Sequence, residues 1–330
     1  MFWMVPVEGA MRASVSDTER SPSMKKRVMQ TMTGAAVLFA ASGAVSAGVI
    51  TTAGDAGVAD FNAFIFGSAH LVNSSMEGRL AVGGSATINS YSVGTAMSDG
   101  GGVRDDVIVV GSLVTGNMSL NSGGNVRYAG AHAGRAWVNN GGSAYQGASP
   151  FDFSAIRAEL SVTSNTMASL SPTGTATMQW GGITLTGGDA SFNVFSVPGE
   201  WFGSANNFTI DAPAGSTVLV NISGSSVDIS NQGWNLQGVG AGTVLYNFHE
   251  ASSLSMSGVG VQGSILAPDA SVSFSNGKFA GTMVAADLKG GGSFASAPFS
   301  GNIGAAIPAP AGGGALALLG VLCVARRRRR

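Results

Sequence analysis

Short apolar runs separated by turn-forming residues recur along the middle of the chain. Arg79-Leu80-Ala81-Val82 runs into Gly83-Gly84, Val107-Ile108-Val109-Val110 into Gly111, and Ser216-Thr217-Val218-Leu219-Val220-Asn221-Ile222 into Ser223-Gly224. Runs rich in β-branched residues and closed by Gly, Asn, Ser or Asp predict short β-strands, and Gly supplies the positive φ that the turns demand. One stretch has a different period. Phe153, Ile156, Leu160, Met167 and Leu170 fall at or near helical spacing. Asp152 or Ser154 is placed to cap the start and Pro172 to end it, which predicts one amphipathic helix over 152–171. Its apolar stripe reads as packing against the β body, not as a cofactor box.

A repeat organises the strands near the C-terminal end of the body. Gly263-Ser264-Ile265-Leu266-Ala267-Pro268-Asp269 lines up with Gly281-Thr282-Met283-Val284-Ala285-Ala286-Asp287 at an offset of 18 residues. Such a period suits one coil of a β-solenoid, with Ile265 stacked on Met283 at the usual strand separation of about 4.8 Å. The expected fold is mainly all-β: a β-helix or solenoid-like body with one long amphipathic helix packed alongside. A β-sandwich carrying two similar hairpins is the alternative. The same repeat puts Asp269 and Asp287 on one edge, where paired carboxylates suit Ca²⁺; two turn-forming Asp residues are the plainer reading.

The ends differ from the body. Met24-Lys25-Lys26-Arg27, the apolar run from Gly34 to Ala41 and the small-residue site Val45-Ser46-Ala47 form a secretory signal, with cleavage expected after Ala47. Residues 1–23 are mixed in charge and fit poorly in front of that signal, which suggests Met24 as the true start and leaves 24–47 as the signal peptide. At the other end Pro308-Ala309-Pro310 precedes an apolar run from Ala311 to Ala325, closed by Arg326, Arg327, Arg328, Arg329 and Arg330. That run of 15 residues is short of the roughly 20 a spanning helix needs, and the cations suit the cytoplasmic side.

Residues 303–330 resemble a PEP-CTERM sorting signal, the kind that exosortases recognise and remove, with Ala309 where the usual motif has Glu. The resemblance implies export through the general secretory machinery, transient inner-membrane association through the tail, and processing by an exosortase-like enzyme, a variant one given Ala309. An ordinary membrane anchor is the other reading of this tail.

Without its ends the chain is acidic: between Gly48 and Ile307 there are 7 Lys/Arg and 15 Asp/Glu, a net of 7 − 15 = −8. That balance argues against nucleic acid and anionic lipid as partners. Charged residues make up 11% of the whole chain, against about 25% in ordinary soluble domains. Cys323 lies in the tail, so the body holds no disulfide.

The body, about 48–302, carries a resemblance of its own. Phe61-Asn62-Ala63-Phe64, Glu77-Gly78-Arg79-Leu80-Ala81-Val82-Gly83-Gly84, Tyr91-Ser92-Val93-Gly94, Ala212-Pro213-Ala214-Gly215-Ser216-Thr217-Val218 and Gly258-Val259-Gly260-Val261-Gln262-Gly263-Ser264-Ile265-Leu266-Ala267-Pro268, ending in Ala297-Pro298-Phe299, resemble the choice-of-anchor A domain. The resemblance implies an adhesive module on a β-helix with an accompanying helix, and no catalytic residues.

Catalytic chemistry finds little support. Gly258-x-Gly260-x-x-Gly263 matches a dinucleotide fingerprint, which requires a following helix, but Pro268 opposes one. His70, His132 and His249 lack partners at metal-ligand spacing, and no Gly-x-Ser-x-Gly elbow occurs. Asp105 and Asp106 are adjacent in a strand and point to opposite faces. Trp137, Trp180, Trp201-Phe202 and Trp234 are candidates for stacking on sugar rings if exposed, and for core if buried. Asn73, Asn117, Asn207 and Asn221 open sequons that Asn, Ser and Thr abundance explains.

The expected function is therefore non-enzymatic: an exported adhesive or scaffolding protein of the cell surface or extracellular matrix, associated with exopolysaccharide. The alternatives are a carbohydrate-active enzyme, or a binder of a flat lattice such as ice or crystalline polysaccharide. A lattice binder would show regular Thr-x-Thr rows. Thr175-Ala176-Thr177 and Thr184-Leu185-Thr186 exist, but no row persists over several coils in the sequence.

Overall fold

The computed structural model describes residues 57–303, which form a β-helix with one long α-helix laid along it. Among the described residues every strand pairing is parallel except the hairpin of Thr175–Gln179 with Gly182–Thr186. A sandwich of antiparallel hairpins is thereby excluded. The signal segment, Ala47 and the tail from Pro308 to Arg330 lie outside the described residues. Within them no helix is long and apolar enough to cross a membrane.

The strands fall into three stacks. The first runs through Phe192–Pro198, Thr217–Ser223, Val244–Asn247, Ser264–Ser275, Met283–Gly290, Phe61–Ile65, Arg79–Val82, Asp105–Val109, Asn125–Tyr128 and Ala144–Gln146. The second comprises Ser226–Ser230, Ser253–Ser257, the far halves of Ser264–Ser275 and Met283–Gly290, then Ala69–Ser75, Ala86–Val93, Leu113–Leu120 and His132–Val138. The third is the hairpin with Asn207–Asp211 and Gly233–Gln237, plus a small sheet of Gly260–Gln262, Lys278–Ala280 and Ser293–Ala295.

Stacking order departs from chain order. Met283–Gly290 lies between Ser264–Ser275 and Phe61–Ile65, so the C-terminal coils sit on the N-terminal ones. The chain must travel back along the stack between Gln146 and Phe192, and the helix Phe153–Ala168 makes that return. The Asp152 carboxylate caps it, accepting from the Ser154 and Ala155 amides at 3.1 and 3.0 Å. Its contacts then climb the stack in order. Phe153 stacks on Phe64 at 4.7 Å, Arg157 donates to Asp269 at 2.9 Å, Ser164 donates to Asn247 at 2.5 Å, and the Met167 carbonyl accepts from Asn221 at 2.7 Å. Its 16 residues span about 24 Å at a rise of about 1.5 Å each. The helix ends at Ala168 with Ser169 as its cap, short of the expected Ser171, and Phe153, Ile156, Leu160 and Met167 face the β body as the periodicity implied.

Two apolar clusters hold the fold. One fills the interior of the coils; the other lies between the first stack and the helix, and includes Phe64, Ile108, Leu219, Leu245, Leu266 and Val284. Fully burying one such side chain contributes about 1.5–3 kcal/mol.

The repeat is confirmed in part. Ile265 pairs with Met283, Leu266 with Val284 and Ala267 with Ala285, and both Ile265 and Met283 are buried. The register then shifts by two, and Ser271 pairs with Asp287. The cause is a bulge at Pro268–Ala270, where Pro268 has no amide to continue the ladder. Asp269 and Asp287 therefore do not stack. Asp269 pairs with Arg157 of the helix, while Asp287 accepts from the Ser68 amide at 2.7 Å and the Ser271 hydroxyl at 3.1 Å.

Corners between the second and third stacks use left-handed residues. Asn231, Gly258 and Asn276 follow one another at positive φ on adjacent coils, and Asn73, Ser90 and Asn117 do so at bends within adjacent strands of the second stack. Asn tolerates this region because its short side chain bonds locally, which accounts for the sequon asparagines Asn73 and Asn117.

Candidate binding faces

The three stacks present outward side chains of different kinds. On the first, many outward residues are apolar and cluster with the helix, the buried Asn221 and Asn247 bond to it, and Arg127 and Tyr145 continue the row at the far end. On the second they are mostly hydroxyls and stand open to solvent. Ser226, Asp228 and Ser230 pair with Ser253, Ser255 and Ser257, which pair with Ser271, Ser273 and Ser275. The alternating Val227, Ile229, Leu254, Met256, Val272 and Phe274 point inward and are buried. The result is a three-by-three grid holding Ser at every position but Asp228. Strand geometry spaces it at about 4.8 Å across the strands and about 6.6 Å along them.

The grid continues along the stack. Ser273 pairs with Lys289, Lys289 with His70, His70 with Thr87 and Thr87 with Val114. At this end of the grid a shallow cavity of about 470 Å³ is lined by Ser68, His70, Ser85, Thr87, Asp287 and Lys289, among others. Burial of the inward side chains holds the register, because a slip of one residue would expose the apolar set. The serines are thus fixed by their neighbours. The sequence signal for them was present in Ser253-x-Ser255-x-Ser257 and Ser271-x-Ser273-x-Ser275, but it went unread because serine abundance disguised it.

The third stack carries a second polar face, here called the hairpin face. Thr177, Thr184, Thr209 and Asn235 form one row across its four strands, and Thr175, Thr186, Asp211 and Gln237 another. The two Thr-x-Thr segments lie side by side in one hairpin, but the next strands carry Thr209 with Asp211 and Asn235 with Gln237, so the row is of mixed polar residues and no Thr-x-Thr row persists over several coils. The row was invisible because a hairpin and two crossovers separate its members along the chain. Asn235 donates to Asn207 and Asn207 to Thr209, both at 2.9 Å, which orders this surface. Beneath it Phe208 stacks on Trp234 at 4.3 Å, and the Trp234 indole donates to Tyr246 at 2.9 Å. Burial pushes the Tyr246 phenol far up.

The tryptophans divide accordingly. Trp234 is core, and Trp201 is half-buried above the buried Phe202. Trp137 is 46% exposed with the Arg135 guanidinium 3.6 Å from its ring centre. Trp180 is 96% exposed, at the tip of the hairpin.

The remaining candidates resolve into structure. Asp106 is fully buried, accepts from Ser122 at 2.6 Å and pairs with Arg104 at 2.5 Å and Arg79 at 3.8 Å. Its hydrogen bond pushes the Arg104 guanidinium up, whereas burial draws that of Arg79 down. Asp105 points elsewhere, to Arg127 and to the Tyr145 hydroxyl, both at 2.9 Å. A register shift between Asp105 and Val107 separates the two carboxylates. His70, His132 and His249 lie apart, bordering Lys289, Thr115 and Glu250 respectively. No cluster of three or more metal-ligating side chains occurs among the described residues. Gly260–Gln262 is a strand that leads into the strand Ser264–Ser275, so the glycine fingerprint lacks its helix. Asn221 is buried between Asn247 and the helix, and Asn207 belongs to the hairpin face.

A family profile described as "Putative Ice-binding-like adhesive domain" matches residues 54–296. The chain belongs to that adhesive domain family. Solved structures with a similar course include an ice-binding protein from the Antarctic ascomycete Antarctomyces psychrotrophicus, at 10% identity over 74% of this chain and 97% of that one, with a TM-score of 0.31. A domain of an ice-binding protein from Shewanella frigidimarina matches at 14% identity over 74% and 96%, with a TM-score of 0.29. The ice-binding protein LeIBP of an Arctic yeast matches at 10% identity over 81% and 97%, with a TM-score of 0.29. Likeness of this degree carries no ligand across. No curated protein matches the chain.

Proposed function

We propose that this chain is a non-enzymatic adhesive module, exported to the cell surface or extracellular matrix, that holds extracellular polysaccharide through its serine face. The observation that carries the reading is the grid of Ser226 to Ser275: regular, outward-facing and held in register by the buried residues between its members. A hydroxylated polymer chain laid on it meets hydrogen-bonding groups at a fixed repeat, and many weak contacts add up by multivalency. Asp228, Asp287, Lys289 and His70 interrupt the face with groups that sugar hydroxyls satisfy well and that an ice lattice accommodates poorly.

The ends complete the proposal. The secretory machinery exports the chain with cleavage after Ala47, and an exosortase-like enzyme acts at Pro308-Ala309-Pro310 and removes the tail with Arg326 to Arg330. Mass spectrometry of the mature protein tests this: retention of the arginines makes the tail a plain anchor. Sedimentation with insoluble polysaccharides tests the face. Wild-type protein is expected to pellet with at least one of them, and Ser255→Tyr to pellet less with that one; equal pelleting with all of them sinks the reading.

Ice is the second reading, favoured by the row Thr177, Thr184, Thr209 and Asn235. Thermal hysteresis abolished by Thr184→Tyr, together with no polysaccharide binding, would replace the first reading with this one.

A further inference from the structure

Trp180 and Gly181 form the two-residue loop of the hairpin, with φ of 46° and 79°. Positive φ at both positions is the arrangement that favours Asn-Gly. The other described non-glycine residues at positive φ are Asn and Ser. A Trp there is a conformational outlier, and at 96% exposure it packs against almost nothing. Neither backbone preference nor core packing explains an indole at this position, so its use lies outside the fold.

Its surroundings say what it fits. Trp180 borders the row Gln179, Gly182, Asn207 and Gly233, a strip in which Gly182 carries no side chain and the Asn207 amide lies against Gly233. Beyond the strip lie the hydroxyls and amide of Thr177, Thr184, Thr209 and Asn235. Asp211 is the one charged residue among the outward positions of these four strands. A protein partner would require an apolar centre ringed by polar groups, and this face has a single apolar group at its margin. An anionic membrane would require cations, and it has none. A pyranose chain offers what the face lacks: flat C–H surfaces for the indole and uncharged hydroxyls for Thr and Asn.

We infer that the hairpin face is a binding site for a neutral polysaccharide, with Trp180 as its stacking platform. This site is separate from the serine face and stands without it; where both hold, one module joins two polymer chains and acts as a cross-link.

The test measures binding of the full chain to amorphous cellulose and cellohexaose, with alginate as the charged comparison. Trp180→Asn keeps a residue suited to the turn, so loss of folding does not confuse the result, and thermal melting checks that. Expected are at least about tenfold weaker neutral-glucan binding for Trp180→Asn, retention by Trp180→Tyr, and no change for Ser255→Tyr. Undiminished binding by Trp180→Asn overturns the inference, as does a wild-type chain that binds neither glucan or prefers alginate. Loss on Ser255→Tyr alone would assign the glucan to the serine face, overturning this inference while supporting the other.

Discussion

One strand shows two kinds of surface. In Ser264–Ser275 the first five residues are all buried, whereas from Asp269 onward exposed or half-buried positions alternate with buried ones. Both halves pair in parallel with the same neighbour, Met283–Gly290, and both turn one set of side chains inward. They differ in what covers the outside. Leu266 lies in the cluster under the helix, while Ser271, Ser273 and Ser275 meet solvent. Outward chemistry thus reports the partner: apolar where the chain covers itself, hydroxyl where nothing of the described fold does.

The largest effect that would break this contrast comes from the covered half. Leu245→Ala opens a cavity beneath the helix and is expected to cost about 2–5 kcal/mol in denaturant unfolding. A cost under about 1 kcal/mol would mean the helix is loosely seated. Next is Asn247→Ala, which leaves the Ser164 hydroxyl and the Asn221 Oδ1 without their buried partner and is expected to cost about 1–3 kcal/mol.

On the open half, Ser255→Tyr is expected to change stability by less than about 0.5 kcal/mol, which calorimetry would verify, while polysaccharide pelleting falls. A large loss of stability instead would make the serines structural. Trp180→Asn is expected to raise stability by about 1 kcal/mol, because it relieves a bulky residue held at positive φ; a lower melting temperature would show that the indole packs after all.

The smallest effect concerns the helix cap. The Ser154 hydroxyl, followed by the Ala155 and Ser154 amides, holds the Asp152 carboxyl below its usual value. Its contribution is therefore present at neutral pH and lost as pH falls through that lowered value. Circular dichroism of Asp152→Asn should show a weaker acid dependence of helix content than wild type.

Much of the coil was legible before the structure. The Gly263 and Gly281 repeat placed Ile265 on Met283, and the spacing of Phe153, Ile156, Leu160 and Met167 placed the helix and its buried stripe. These readings succeed because they rest on local periodicity. The same repeat misled at Asp269 and Asp287, since a two-residue bulge does not disturb an alignment of letters. Both binding faces went unread for a related reason: Ser226 and Ser253, or Thr184 and Thr209, become neighbours through crossovers whose lengths vary.

Composition and period by themselves determined a body of short strands with few charges, a capped helix and chemically distinct ends, and pointed to stacked coils with a sandwich still open, because strand and helix periods and turn preferences are properties of short segments. Only the tertiary structure decided that Met283–Gly290 lies against Phe61–Ile65, that the helix is the return path between them, and that scattered serines share one plane. Those facts depend on which distant strands share backbone hydrogen bonds, and a parallel ladder selects its partners by the fit of inward side chains across coils.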